Sequence, residues 1–234
     1  MSRFREVFTS RHVLLAVIHV SDLAGAVRNA RVARDAGMDG AFLLSHGAVA
    51  DDALIGIAEK VRAATGGFWI GVNCLGTHPL QLFARIGDRV PGVWADDALI
   101  TEASDDQVDA RQVRAVQEAH GWRGLYFGGV AFKYQRAVRD LARVARLATA
   151  YMDVVTTSGP GSGEAADPAK VRTMKQAVGP FPLALASGVT PENAHDYLPH
   201  ADCFLTATGI SQTPEDLDAD RARDLVRVVR SWRG

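Results

Sequence analysis

Two glycine-containing turns carry the clearest chemical signal in the chain. Ser187-Gly188-Val189-Thr190-Pro191-Glu192-Asn193 follows the apolar run Leu183–Ala186, and Thr206-Ala207-Thr208-Gly209 follows Cys203–Leu205. Gly188 lets backbone N–H groups come close to a ligand, and Thr190 suits the cap of a helix starting at Pro191. On neighbouring parallel strands, two such turns form a grip for phosphate, because backbone donors and helix dipoles both favour an anion. Ser187, Gly188, Thr208 and Gly209 are therefore expected to hold a small phosphorylated ligand. Replacing Gly188 with Asp is expected to weaken that ligand at least tenfold, about 1.4 kcal/mol. The same turn serves equally well as a plain strand–helix junction.

Acid–base candidates stand just after other apolar runs. His19 ends one, and its pKa of about 6.5 suits proton transfer in either direction, although a histidine bonded at a rim has the same signature. Asn73 ends Gly71-Val72-Asn73 and must hydrogen-bond a ligand or a neighbouring strand. Asp96 is a candidate base, with Asp97 pointing to the opposite face. Lys133, among apolar and aromatic neighbours, suits phosphate pairing better than Schiff-base chemistry, and snorkelling is its bland alternative. The run Thr157–Gly163 places Ser158 and Gly159 in flexible cover over a ligand; it lacks the Gly-Lys-Ser/Thr of a phosphate-binding P-loop. His46, beside Ser45, is a weaker candidate. The expected catalytic set is His19, Asp96 and Lys133, with Asn73, Ser158, Gly159, Ser187, Gly188, Thr208 and Gly209 binding substrate. No cofactor is expected; a divalent metal is compatible with these side chains, but no ligand spacing supports one. There is no Gly-x-Ser-x-Gly elbow for a serine hydrolase.

The elements that must position these residues alternate regularly. Strand-like runs are His12–His19, Ala41–Leu44, Phe68–Val72, Gly92–Ala95, Leu125–Phe127, Met152–Thr156, Leu183–Ala186 and Cys203–Thr206. Several are apolar throughout, as in parallel strands covered on both faces. Helical patterns fall between them at Leu23–Ala36, Leu54–Ala64, Gln107–Ala119, Arg136–Ala150, Pro168–Val178 and Asp218–Arg230. Strand and helix recur at roughly 20–33 residues per unit, which predicts an α/β fold, one (β/α)8 barrel over residues 1–234. The open doubly wound alternative lacks a Gly-x-Gly-x-x-Gly at its first helix.

Composition narrows the function. The 234 residues carry a net charge of −1, with 47% hydrophobic and 23% charged side chains, which suits a globular core and no broad nucleic-acid surface. Cys74 and Cys203 sit in apolar stretches and read as buried thiols of a reducing compartment. Neither a signal peptide nor a transmembrane run is present, so a cytoplasmic protein is expected, and self-association is left open.

Taken together, these pieces resemble the BtpA/SgcQ family of (β/α)8-barrel proteins over nearly the whole chain. The resemblance rests on Val17-Ile18-His19, Ala36-Gly37-Met38-Asp39-Gly40, Gly71-Val72-Asn73-Cys74-Leu75, Phe132-Lys133, Val155-Thr156-Thr157-Ser158-Gly159 with Gly161-x-Gly163-Glu164, and Ser187 to Asn193. It implies a barrel and a phosphorylated ligand more firmly than any reaction. The chain departs from the family at Ser45-His46, where a Glu-Asn pair is usual, at Gly128-Gly129, where an acid is usual, and at Tyr134, where histidine is common. Two readings follow. One is an isomerase- or lyase-type enzyme on a sugar phosphate or phosphoribosyl compound; the other is a non-catalytic ligand-binding or assembly factor that has lost acidic residues.

Overall fold

The computed structural model describes residues 2–234. Eight parallel strands close on themselves in chain order: β1 Val13–His19, β2 Gly40–Leu44, β3 Trp69–Asn73, β4 Gly92–Ala95, β5 Leu125–Gly129, β6 Val154–Ser158, β7 Leu183–Ala186 and β8 Cys203–Thr206. The ring shuts where β1 pairs with β8, Val13 opposite Cys203 and Ala16 opposite Thr206. Helices α1 Arg3–Val7, α2 Leu23–Asp35, α3 Asp51–Ala64, α4 Pro79–Phe83, α5 Val108–Ala119, α6 Leu141–Ala148, α7 Pro168–Val178 and α8 Ala219–Ser231 complete the (β/α)8 barrel.

Strand alternation sorts the core into two layers. Val13, Leu15 and Val17 point inward with Phe42, Trp94, Phe127 and Leu205, whereas Leu14, Ala16 and Ile18 pack under the helices. The interior is built on aromatic rings: Phe42 stands 5.2 Å from Trp69, 5.8 Å from Trp94 and 5.0 Å from Phe127. Glycines make the room for them. A Cβ on Gly71 would lie 2.4 Å from the Phe42 ring, and one on Gly92 2.3 Å from that of Trp69. These two strand glycines are therefore packing residues.

The amino end of the barrel is closed by α1, which the sequence pattern did not reveal. Phe4 packs 6.2 Å from Phe127, and Phe8, which follows the helix, 5.2 Å from Trp69. Three aspartates repeat one device at this end. Asp39, Asp153 and Asp202 each stand just before or near a strand and accept from a backbone N–H of the previous one: Leu14 at 2.7 Å, Tyr126 at 2.9 Å and Leu183 at 2.9 Å. Arg230, Arg3 and the pair Arg5 and Lys175 neutralise them in turn. A carboxylate that accepts a backbone N–H and meets a cation orders the strand ends.

Some sequence expectations need correction. β5 and β6 run on to Gly129 and Ser158, so Gly128-Gly129 and Thr157-Ser158 belong to the sheet rather than to loops. α6 starts at Leu141, not Arg136, because the Asp140 carboxylate caps it by accepting from Arg143 N–H at 2.8 Å. No α-helix begins at Pro191. Asn193 instead closes a turn, its Oδ1 accepting from Thr190 N–H at 2.8 Å and its Nδ2 donating to Gly188 O at 2.7 Å. Only a 3₁₀ turn, Ala194–Asp196, follows. Both cysteines are free and buried, and burial pushes the Cys74 thiol up to about 12 and that of Cys203 upward too, so both are inert as nucleophiles.

Candidate functional site

A cavity of about 330 Å³ opens at the carboxyl end of the strands. Strand alternation aims its polar side chains. His19 continues the inward series Val13, Leu15, Val17; Asp96 stands two residues beyond inward Trp94; and Asn73 is the last residue of β3. His19, Asn73, Asp96, Lys133, Ser187, Gly188 and Thr208 all line this one cavity. Ser158, Gly159 and Gly209 do not. The buried Ser158 hydroxyl accepts from Lys133 N–H at 2.7 Å and donates to Gly159 O at 2.8 Å, so it shapes the loop that bears Lys133. Gly159 and Gly209 are packed against neighbouring loops, where a Cβ would lie 2.2 Å from Glu164 O and 1.9 Å from Val189 O. His46 joins the site from the exposed loop after β2, its ring 5.1 Å from that of His19. Ser45 is buried, its hydroxyl accepting from Val49 N–H.

The electrostatics single out two groups. Burial lowers the His19 pKa, and the charges of His46 and Lys133 lower it further, so the imidazole is neutral at pH 7. Burial raises the Asp96 pKa against the opposing effects of Lys133 and of Asn73, whose Nδ2 donates to Asp96 Oδ1 at 2.8 Å. A desolvated carboxylate fixed by one amide is a stronger base than one in water.

The main chain of Asp96 explains the bare end of β5. A Cβ on Gly129 would sit 2.0 Å from Asp96 O, so no side chain fits at the place where a strand-5 acid would stand. Gln135 spans the same joint, its Nε2 donating to Asp96 O at 2.8 Å and to Gly129 O at 3.2 Å while its Oε1 accepts from Phe132 N–H. The half-buried Lys170 donates to Ala131 O at 2.5 Å and to Ser158 O at 2.8 Å, and desolvation lowers its pKa. Gln135 and Lys170 thus hold Asp96 and Lys133 in place. Nothing in the sequence marked them, since both lie beyond strand ends amid polar residues.

Gly188 and Thr208 line the cavity from the loops after β7 and β8, and among the described residues their N–H groups donate to no protein acceptor. Only three-residue 3₁₀ turns follow these loops, Ala194–Asp196 where the sequence suggested a helix from Pro191, and Thr208–Ile210, so what the loops can offer an anion is unpaired backbone N–H groups rather than helix dipoles. The β6–α7 loop closes over them: the Ser187 hydroxyl donates to Gly161 O at 2.8 Å, and Lys133 Nζ donates to Ser162 Oγ at 3.1 Å. Gly188 carries a φ of 67°, and its Cβ would lie 2.4 Å from the backbone of Glu164 and Ala165. Gly188→Asp would therefore displace this loop, and it tests packing rather than anion binding.

Among the described residues, no group of three or more His, Cys, Asp or Glu could hold a metal ion, and no helix is long and apolar enough to cross a membrane. No family model matches the sequence, and no curated protein does. Solved structures do match. A (S)-3-O-geranylgeranylglyceryl phosphate synthase from Thermoplasma acidophilum, in complex with sn-glycerol-1-phosphate, superposes with a TM-score of 0.70 at 16% identity, covering 98% of this chain and 97% of that one. A Mycobacterium tuberculosis tryptophan synthase gives 0.71 at 19% identity, covering 99% of both chains. The phosphoribosyl anthranilate isomerase of Thermus thermophilus gives 0.63 at 20% identity, covering 95% of this chain and all of that one. At such identities the likeness shows the fold, and function must be argued from the site.

Proposed function

We propose that this barrel is a proton-transferring enzyme, of isomerase or lyase type, acting on a small phosphorylated metabolite, and a divergent relative of the BtpA/SgcQ family. One observation carries the reading: one cavity brings together Gly188 and Thr208, whose backbone N–H groups are unpaired, with a half-buried carboxylate, a neutral histidine and a lysine. The phosphate end of the ligand rests on Gly188 and Thr208. Asp96 removes a proton from carbon beside a carbonyl, while the His19 N–H and the Lys133 ammonium stabilise the oxyanion that develops. A neutral imidazole keeps one N–H and so can donate to that oxyanion. That similar barrels include a synthase in complex with sn-glycerol-1-phosphate and a phosphoribosyl anthranilate isomerase supports the phosphate end of the reading.

Thr208→Glu tests it. Thr208 is exposed and lines the cavity near Gly163 of the covering loop, so the new carboxylate would stand beside the backbone donors proposed to hold the anion. In a thermal-shift titration, ribitol 5-phosphate is expected to stabilise the parent and to bind the variant at least tenfold more weakly, about 1.4 kcal/mol. Equal affinity in the two proteins would remove the phosphate reading. A phosphorylated compound that binds but is never turned over by the parent would point instead to a binding factor.

A further inference from the structure

Depth in the cavity is set by strand position. Val17 stands two residues before His19 on β1, Trp94 two before Asp96 at β4, and Ala186 two before Gly188 at β7, and all of them line the cavity. Two residues at about 3.3 Å each, on strands tilted by about 36°, put the first member of each pair roughly 5 Å deeper. At that depth the surface is carbon. Val17, Trp94, Ala186 and, from β8, Leu205 are buried and belong to the inward core, so the base of the cavity is the top of that core. The Trp94 ring offers the cavity only carbon, because its Nε1 is shut off from solvent and has no partner. The polar side chain at this depth is Asn73, which lies beside Trp94 because Val72 pairs with Val93. It stands on β3, across the barrel from β7, and its Nδ2 is committed to Asp96.

We propose that the end of the substrate remote from its phosphate is an unhydroxylated carbon group, a methyl or short alkyl, seated on Val17, Trp94, Ala186 and Leu205. The inference rests on the phosphate reading above, which fixes the other end at Gly188 and Thr208. Strands β7, β8 and β1 are neighbours, so Ala186, Leu205 and Val17 lie together beneath that anchor. Above it the way is closed by the β6–α7 loop. The Ser187 hydroxyl donates to Gly161 O at 2.8 Å, and the Lys133 ammonium and Tyr134 hydroxyl both meet the Ser162 hydroxyl, at 3.1 and 3.4 Å. A chain leaving the phosphate therefore runs downward, past Asp96 and His19, and ends on the apolar base. A terminal hydroxyl there would lose its water and find no partner on β7, β8 or β1. A methyl gains burial in the same place. The substrate class is thus a phosphorylated carbonyl compound with an alkyl end, as opposed to a sugar phosphate ending in a hydroxymethyl group.

A matched pair of ligands tests this. Ribitol 5-phosphate and 1-deoxyribitol 5-phosphate share phosphate and carbon chain and differ only in the hydroxyl on C1. By isothermal titration calorimetry, the parent is expected to bind the deoxy compound at least fivefold more tightly. Val17→Thr exchanges a methyl for a hydroxyl of similar size, and Ala186→Ser adds a hydroxyl from another strand. Each supplies the missing partner and should bring the ratio below twofold, so the outcome does not depend on one variant folding. Equal affinity of the parent for both compounds, or a preference for ribitol 5-phosphate, overturns the alkyl end and leaves the phosphate reading standing. Failure of the parent to bind either compound or inorganic phosphate overturns both. A fivefold ratio that survives Val17→Thr and Ala186→Ser overturns the seat assigned to these residues.

Discussion

Asp96→Asn is expected to reduce turnover of a phosphorylated substrate at least 100-fold while raising the melting temperature. General base catalysis by a positioned carboxylate contributes roughly 10²–10⁴ to a rate, and no other carboxylate lines the cavity to replace it. The stability change has the opposite sign. A carboxyl whose folded pKa is raised by burial contributes stability when protonated and loses it as pH rises through that pKa, so at pH 7 the ionised Asp96 is a cost. Asparagine removes the charge, and its Oδ1 still accepts from Asn73. The pH profile follows from the same shifts. Asp96 titrates above the ordinary aspartate value of about 3.9 and His19 below the ordinary histidine value of about 6.5, so the fall in kcat/KM that His19 protonation causes should be centred beneath pH 6.5. A fall centred at or above pH 6.5, or full turnover by Asp96→Asn, would remove Asp96 and His19 from these roles.

The barrel was legible because its signal is repeated. Runs such as Val13–Val17 and Leu183–Ala186 are apolar on both faces, and the helical stretches between them end at glycines or begin with aspartate caps, as at Asp167-Pro168 and Asp218. His19, Asn73 and Asp96 were legible for a related reason, since a polar residue closing an inward-facing strand series has to reach the mouth. What escaped was decided across loops. Ser158 carries the residue type of a ligand contact, yet its hydroxyl meets the Lys133 amide on another strand's loop. Gly129 reads as a lost catalytic side chain, whereas it is bare because Asp96 O occupies the space. Thr190-Pro191 has the composition of a helix start, but the Asn193 side chain bonds back to Gly188 and Thr190 and closes a turn in its place.

The largest loss of stability is expected far from the cavity, from Phe4→Ala. Helix α1 is only five residues long and has no side-chain N-cap, so it is held by what it buries rather than by its own hydrogen bonds. Phe4 is fully buried and meets Phe8 at 5.4 Å and Phe127 at 6.2 Å, the latter part of the aromatic stack with Phe42. Truncation to alanine removes the ring and leaves a cavity that rigid neighbours fill poorly, a cost of about 3–5 kcal/mol. Against a typical total of about 5–15 kcal/mol, that is a large share. Urea denaturation should show the midpoint falling with little change in slope, as expected when the folded state alone is weakened. Because the plug and the cavity lie at opposite ends of the barrel, the folded variant should bind ribitol 5-phosphate within about twofold of the parent, well under the tenfold that corresponds to 1.4 kcal/mol. A loss below about 1 kcal/mol would mean that α1 only covers the barrel floor, with the Phe42, Trp69 and Phe127 rings closing it unaided.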